Sequence, residues 1–173
     1  LRDDNYPEED EGRQLPYKAE TSFYEMMTTQ LGLLRLEEKE QAIAEQIVGS
    51  LDEDGYLRRE TSAIVDDLAF RQNISATEAE VESLIKRIQQ FDPPGVAARD
   101  LRECLLIQLY RQKDEGKPVD IAIRAISKYF DEFTKKHYEK IQRGLDLDDD
   151  QLKEVMQWII RLNPKPGGNL GEI

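Results

Sequence analysis

The sequence predicts an all-α fold of two small helical subdomains, and three observations carry that expectation. Apolar residues recur at helical spacing through most of the 173 positions. No stretch alternates with period two long enough to build a sheet, and Pro/Gly clusters punctuate the helical runs. A charged fraction of 35% beside a hydrophobic fraction of 39% suits amphipathic helices with solvated outer faces.

Residues 1–18 read as an acidic linker. Asp3, Asp4, Glu8, Glu9, Asp10 and Glu11 crowd around Pro7 and Gly12, with too few apolar side chains to repay ordering. The first subdomain spans 19–92. Its first helix carries Phe23, Met27, Leu31 and Leu34, with Thr21 or Ser22 available as N-cap. A second helix puts Ile43, Ala44, Ile47, Val48 and Leu51 on one face and stops at Asp52-Glu53-Asp54-Gly55, where glycine can take a positive φ. Tyr56-Leu57 reads as a short extended pair. Ser62 is the expected cap of a short helix with Ile64, Leu68 and Ala69. Thr77 and Glu80 form a capping box for the next helix, whose buried stripe is Val81, Leu84, Ile85 and Ile88.

Asp92-Pro93-Pro94-Gly95 ends that run, because proline lacks a donor and restricts the residue before it. The second subdomain spans 93–168. Asp100 caps a helix burying Leu101, Cys104, Leu105, Gln108 and Leu109. Val119, Ile123, Ile126, Phe130 and Phe133 then keep one helical face. A short helix around Tyr138 and Ile141 ends at Gly144. The last helix starts in the acidic run Asp146–Asp150, where carboxylates favour an N-terminus, and buries Leu152, Val155, Met156 and Ile159. About eight helices of ordinary length result, with no internal repeat.

Catalytic chemistry finds few materials. His137 is the only histidine and Cys104 the only cysteine, so a triad or zinc site would have to be built from one of each. Cys104 lies in an apolar run and reads as a buried structural thiol; no disulfide framework is possible, and a reducing, cytoplasmic setting fits. A calcium loop counted from Asp146 would need Gly at its sixth position and Glu at its twelfth, where the chain has Gln151 and Gln157. Gly116-Lys117 lacks the other parts of a phosphate loop. The expectation is no enzyme, no cofactor, no metal, no small-molecule substrate and no membrane partner. No apolar run reaches the length of a span, and no signal peptide is seen.

The net charge of −12 is unevenly spread. Residues 1–98 hold 10 Lys/Arg against 22 Asp/Glu, residues 99–143 hold 11 against 8, and residues 144–173 hold 3 against 6. So acidic a chain is repelled by phosphate backbones. The segment 62–90 nevertheless admits a helix-turn-helix, and the alternative function is a stand-alone DNA-binding regulator using it. Against direct reading, Glu78, Glu80 and Glu82 would face phosphates with the wrong sign.

Three strings are distinctive together: Leu51-Asp52-Glu53-Asp54-Gly55-Tyr56-Leu57, the long run from Phe91 through Asp92-Pro93-Pro94-Gly95-Val96-Ala97-Ala98-Arg99-Asp100 to Leu109, and Leu162-Asn163-Pro164-Lys165-Pro166-Gly167. In this order they resemble the landmarks of the core-binding domain of sigma-54-type transcription initiation factors, over about residues 20–168. The resemblance implies a module that binds core RNA polymerase. It also implies a longer protein that recognises promoter DNA and awaits an ATP-driven activator. Leu1 is not a start Met, so the chain is expected to be a piece of that protein, with 169–173 beginning a linker to a C-terminal DNA-binding region. The family usually has glycine where this chain has Ala97, which implies ordinary helical or extended geometry there. The motif residues Asp52, Asp54, Gly55, Asp92, Pro93, Gly95, Arg99, Asp100, Asn163, Pro164, Lys165, Pro166 and Gly167 are the candidate partner-binding or structural landmarks. Pro93, Pro94 and Gly95 can simply fix the angle between subdomains. Arg99 is either a partner contact or a local ion pair.

Overall fold

A computed structural model describes residues 23–168, and among them nine helices account for the regular structure. The linker 1–18, the caps at Thr21 or Ser22 and the stretch 169–173 lie outside the described residues. In chain order the helices are α1 (residues 23–33), α2 (Glu38–Gly49), α3 (Thr61–Gln72), α4 (Glu78–Ile88), α5 (Leu101–Asp114), α6 (Asp120–Lys128), α7 (Phe130–Thr134), α8 (Tyr138–Gly144) and α9 (Asp149–Ile160). A lone antiparallel bridge between Leu51 and Leu57 is the β pairing found among the described residues.

Local chemistry explains most boundaries. Thr77 accepts from the Glu80 amide while the Glu80 carboxylate accepts from the Thr77 amide, the capping box that opens α4. Asp100 accepts from the Glu103 amide and opens α5. Asp148 and Gln151 make the same reciprocal pair at α9.

Five expectations are corrected. The apolar face from Val119 to Phe133 belongs to two helices, because Tyr129 leaves helical geometry at φ −127°, ψ 33° and separates α6 from α7. The cap of α3 is Glu60, not Ser62, since Thr61 is already helical and uses its hydroxyl on Glu82 of α4. Helix α2 stops at Gly49, before the acidic turn, and Ala69 is exposed. Ala97 adopts φ +65°, in the left-handed region. The expectation of ordinary geometry at that position is therefore wrong.

Two large apolar cores organise the chain. The first gathers α1–α4 around Met27, Leu31, Ile47, Ile64, Leu68 and Ile85, and reaches Phe91, Val96 and Ala97 beyond α4. The second gathers α5–α9 around Leu105, Leu109, Ile126, Ile141, Val155 and Ile159. Between them lies a small cluster of Tyr56, Ala98 and Cys104, with Ile107 against it. Burial on this scale supplies roughly 1.5–3 kcal/mol for each large side chain taken from water.

Candidate functional site

The small cluster between the cores marks where three distant segments meet. The first is the turn after α2. The Gly55 amide donates to the Asp52 carbonyl at 2.9 Å, and one Asp52 carboxylate oxygen accepts from the Asp54 and Tyr56 amides, each at 2.9 Å. An acidic side chain that satisfies backbone amides within its own turn is a common device for ordering it. Gly55 sits at φ +93°, and a Cβ there would lie 2.9 Å from the Gly167 nitrogen. Glycine is required at this position by both conformation and space.

The second segment crosses behind that turn. The Ala97 amide donates to the Gly55 carbonyl at 2.8 Å, and the Leu57 amide donates to the Ala98 carbonyl at 2.9 Å. The left-handed geometry of Ala97 aims its amide at Gly55, while its carbonyl accepts from the buried Gln89 side chain at 3.0 Å. Gly95, at φ +102°, presses against α5; a Cβ there would lie 2.8 Å from Cys104 Sγ and 3.0 Å from Gln108 Nε2.

The third segment, Asn163–Gly168, returns from α9 across this surface. Gln108 holds it as a two-point clamp: Nε2 donates to the Asn163 carbonyl at 2.7 Å, and Oε1 accepts from the Asn163 amide at 2.8 Å. The Tyr56 hydroxyl donates to the Pro164 carbonyl at 2.7 Å, and the Gly167 amide donates to the Asp54 carbonyl at 2.9 Å. These bonds span 55 to 113 residues of sequence, the longest being Gly167 to Asp54. Buried polar groups must find partners, so a Gln on the apolar stripe of α5 is explained by this clamp.

Electrostatics at the hub favour neutral groups. Burial pushes the Cys104 thiol up and pushes the Tyr56 hydroxyl well above its usual range, with the thiol beside it adding to the effect. Both therefore act as neutral hydrogen-bonding groups rather than nucleophiles. The Arg58 guanidinium lies 4.3 Å from the Tyr56 ring centroid and covers it.

Eight of the candidate residues take part in this hub: Asp52, Asp54, Gly55, Gly95, Asn163, Pro164, Pro166 and Gly167. The others stand elsewhere. Asp92 is clamped between α1 and α5, its backbone paired to the Gln30 amide and its carboxylate 2.6 Å from Arg111 Nη1. Pro93 follows it through a cis peptide bond. Asp100 is the α5 cap, and Lys165 is exposed. Arg99 Nη2 reaches Glu82 at 3.0 Å, and its amide donates to Glu103 at 2.6 Å, which favours the local ion pair for this residue.

The residues that sequence reasoning did not nominate are Tyr56, Gln108 and Gln30. Only Gln108 gave a signal, as a polar side chain at an apolar position of the α5 stripe. Cys104 is buried, as its neighbours implied. The network around Glu82 also bears on the regulator alternative. The Thr61 hydroxyl, then Arg99, hold the Glu82 carboxyl below its usual range, and Lys39 pairs with Glu80 at 3.1 Å. Part of the acidic face of α4 is thus committed to packing, and DNA reading by this helix is not favoured. Among the described residues no group of three or more His, Cys, Asp or Glu side chains is placed to hold a metal ion. No described helix is long and apolar enough to cross a membrane.

Comparison with known proteins agrees with this geometry. The family model for the sigma-54 factor core binding domain matches residues 15–172. The chain is similar to the RNA polymerase sigma-54 factor of Shewanella violacea, 37% identical over 155 residues, covering 88% of this chain and 31% of that protein. It is also similar to the factor of the same name from Escherichia coli K12, 37% identical over 157 residues, covering 89% and 32%. The Pseudomonas aeruginosa factor is 32% identical over 149 residues, covering 86% and 30%. The chain spans about a third of the length of the curated relatives it matches. With the three strings joined at one hub and the match running nearly end to end, this chain belongs to the sigma-54 core-binding domain family.

Proposed function

We propose that this chain is the part of a sigma-54-type initiation factor that binds core RNA polymerase, as a non-catalytic module. The observation that carries the reading is the convergence of all three family strings on a hub that ties the two cores together. A binding module benefits from such a hub, because a rigid relation between two surfaces lowers the ordering cost of association. In the full-length factor the module serves promoter recognition and the wait for an ATP-driven activator. The segments 19–92 and 93–168 act as two subdomains, with Asp92, Pro93 and Gly95 setting the angle between them. The eight hub residues maintain that angle, and Arg99 supports it from the flank.

The test is binding of the fluorescently labelled chain to purified core RNA polymerase, beside gel-shift titration with a promoter duplex at physiological salt. The expected result is saturable polymerase binding and no sequence-specific duplex retention. Sequence-specific retention at submicromolar chain, without polymerase binding, would replace this reading with the DNA-binding regulator.

A further inference from the structure

Helix α5 has a second face, which touches the hub only through Ile107 at the edge of the small cluster. Glu103, Ile107, Tyr110 and Asp114 follow one another at i, i+4, i+7 and i+11, a straight helical seam with carboxylates at its ends and apolar side chains between. At 1.5 Å rise per residue the seam is about 16 Å long. Together with Leu106, Arg111 and, from the turn after α4, Gln90, it lines a groove of about 340 Å³. The groove therefore lies on the join between the two halves of the chain.

The groove's chemistry narrows its occupant. Tyr110 is 50% exposed, more open than the aromatic side chains packed against the two large cores. The one cation in the lining, Arg111, is already committed to the Asp92 carboxylate and the Phe91 carbonyl. Among the described residues neither Asp114 nor Glu103 has an ion-pair partner, and the Glu103 carboxylate accepts only from the Arg99 backbone amide. A seam of apolar side chains with an anionic residue at each end complements an amphipathic helix whose apolar stripe is flanked by Lys or Arg.

We propose that this groove docks such a helical segment, apolar on one face and basic at both ends, contributed by core RNA polymerase. The source of the segment rests on the function proposed above; the shape and charge of the groove do not. Tyr110 is the anchor, a rigid aromatic in a partly formed pocket and a residue type over-represented among binding hot spots. Asp114 supplies end-on charge selection. A segment seated here would touch Gln90 and α5 together and would bridge both halves.

Two arms test the proposal separately from the function. In the first, a labelled fourteen-residue amphipathic peptide with lysines at both ends is titrated against the chain, beside the same peptide with glutamates there. The Lys-ended peptide is expected to bind, and Tyr110→Ala or Asp114→Lys to weaken it about tenfold or more. Phe70→Ala, which truncates an 86% exposed aromatic on α3, is expected to leave binding unchanged. Equal binding of the two peptides, no binding, or indifference to the groove variants overturns the proposal. So does concentration-dependent self-association that Tyr110→Ala abolishes, which would make a second copy the occupant. In the second arm the Lys-ended peptide competes with core RNA polymerase. Polymerase binding that ignores both peptide and groove variants overturns the groove's role while leaving the proposed function standing. Peptide binding by a chain that ignores polymerase keeps the groove and removes the polymerase as its source. Thermal melting of each variant, expected within a few degrees of the parent, guards against a folding defect.

Discussion

The two halves of this chain are held together by different means. In α1–α4, polar side chains cross between elements: Lys39 of α2 pairs with Glu80 of α4, Gln72 of α3 bonds Gln46 of α2, and Arg59 grips Asp67 through two bonds at 2.6 and 2.9 Å. Thr61 and Arg99 both hold Glu82. In α5–α9 the helices meet mainly through apolar volume, and the polar links between them are exposed: Arg102 to the Ser127 carbonyl, Gln142 to Asp149, and the ion pair of Lys113 with Asp120 across one turn. Directional bonds fix how helices are rotated against one another, whereas apolar packing tolerates rearrangement of similar volume. The first half is therefore specified by geometry and the second by filling. The hub, made almost wholly of hydrogen bonds to backbone, transmits the first half's orientation to the second.

The largest effect should come from breaking the filling. Leu105 is 4% exposed in the second core. Leu105→Ala is expected to cost about 2–5 kcal/mol through lost burial and the cavity left behind. Against a stability on the order of 5–15 kcal/mol, the melting midpoint should drop clearly. Polymerase binding should fall only with the unfolded fraction. Arg99→Ala gives the contrast: its ion pair with Glu82 is partly exposed on both sides and contributes about 0–1 kcal/mol. A Leu105→Ala chain that melts like the parent would put this stripe outside the core.

An effect of comparable size should come from the hub. Gly95→Ala places a methyl 2.8 Å from Cys104 Sγ at φ +102°. Left-handed strain of about 1–2 kcal/mol adds to overpacking of about 1–3 kcal/mol. Amide hydrogen exchange should show reduced protection on both sides of the hub, in α4 and α5 alike. Loss confined to one half would mean that the hub does not couple them.

Much of this arrangement was legible in sequence where a local rule governs it. The caps at Thr77 and Asp100, the start of α9 in the acidic run Asp146–Asp150, the turn at Gly55 and the stripes of α2, α4 and α5 all obey short-range patterns. The split at Tyr129 was invisible because Ile126, Phe130 and Phe133 keep a helical spacing across it, and periodicity does not register one non-helical residue. Family resemblance alone singled out the three strings, and their meeting at one hub was not expected from the sequence. The bond from Tyr56 to Pro164 joins residues 108 apart, and nothing local at either end announces the other.

Acid should separate the halves. Hydrogen bonding to Arg59 holds the Asp67 carboxyl below its usual range, the Thr77 amide does so for Glu80, and the Thr61 hydroxyl for Glu82. Each folded-state pKa lies below that of the unfolded chain. The stability they contribute is therefore present above about pH 4 and is lost as pH falls through the lowered values. Trp158, the only tryptophan, packs against the second core and reports on it. Amide protection in α3 and α4 should fall at a higher pH than the one at which Trp158 emission changes. The reverse order would show that the polar network is not what distinguishes the first half.

The smallest effect should be at Ala97, two residues from the crowded Gly95. At φ +65° an alanine carries left-handed strain of about 1–2 kcal/mol, which glycine would remove. Two terms oppose the gain. Glycine loses about 0.5–1 kcal/mol more backbone entropy on folding, and the Ala97 methyl, fully buried in the first core, contributes about 0.8 kcal/mol by its burial. The sum lies within about 1 kcal/mol of zero by these magnitudes, so Ala97→Gly should melt within a few degrees of the parent. Ala97→Val should not, since a β-branched side chain in left-handed geometry adds strain that no packing at a full site can offset. The hub therefore tolerates a methyl at 97 and excludes one at 95, because only Gly95 faces the Cys104 and Gln108 side chains that grip the returning chain. A clear loss of stability in Ala97→Gly would show instead that the methyl's packing, rather than the backbone bond to Gly55, is what position 97 contributes.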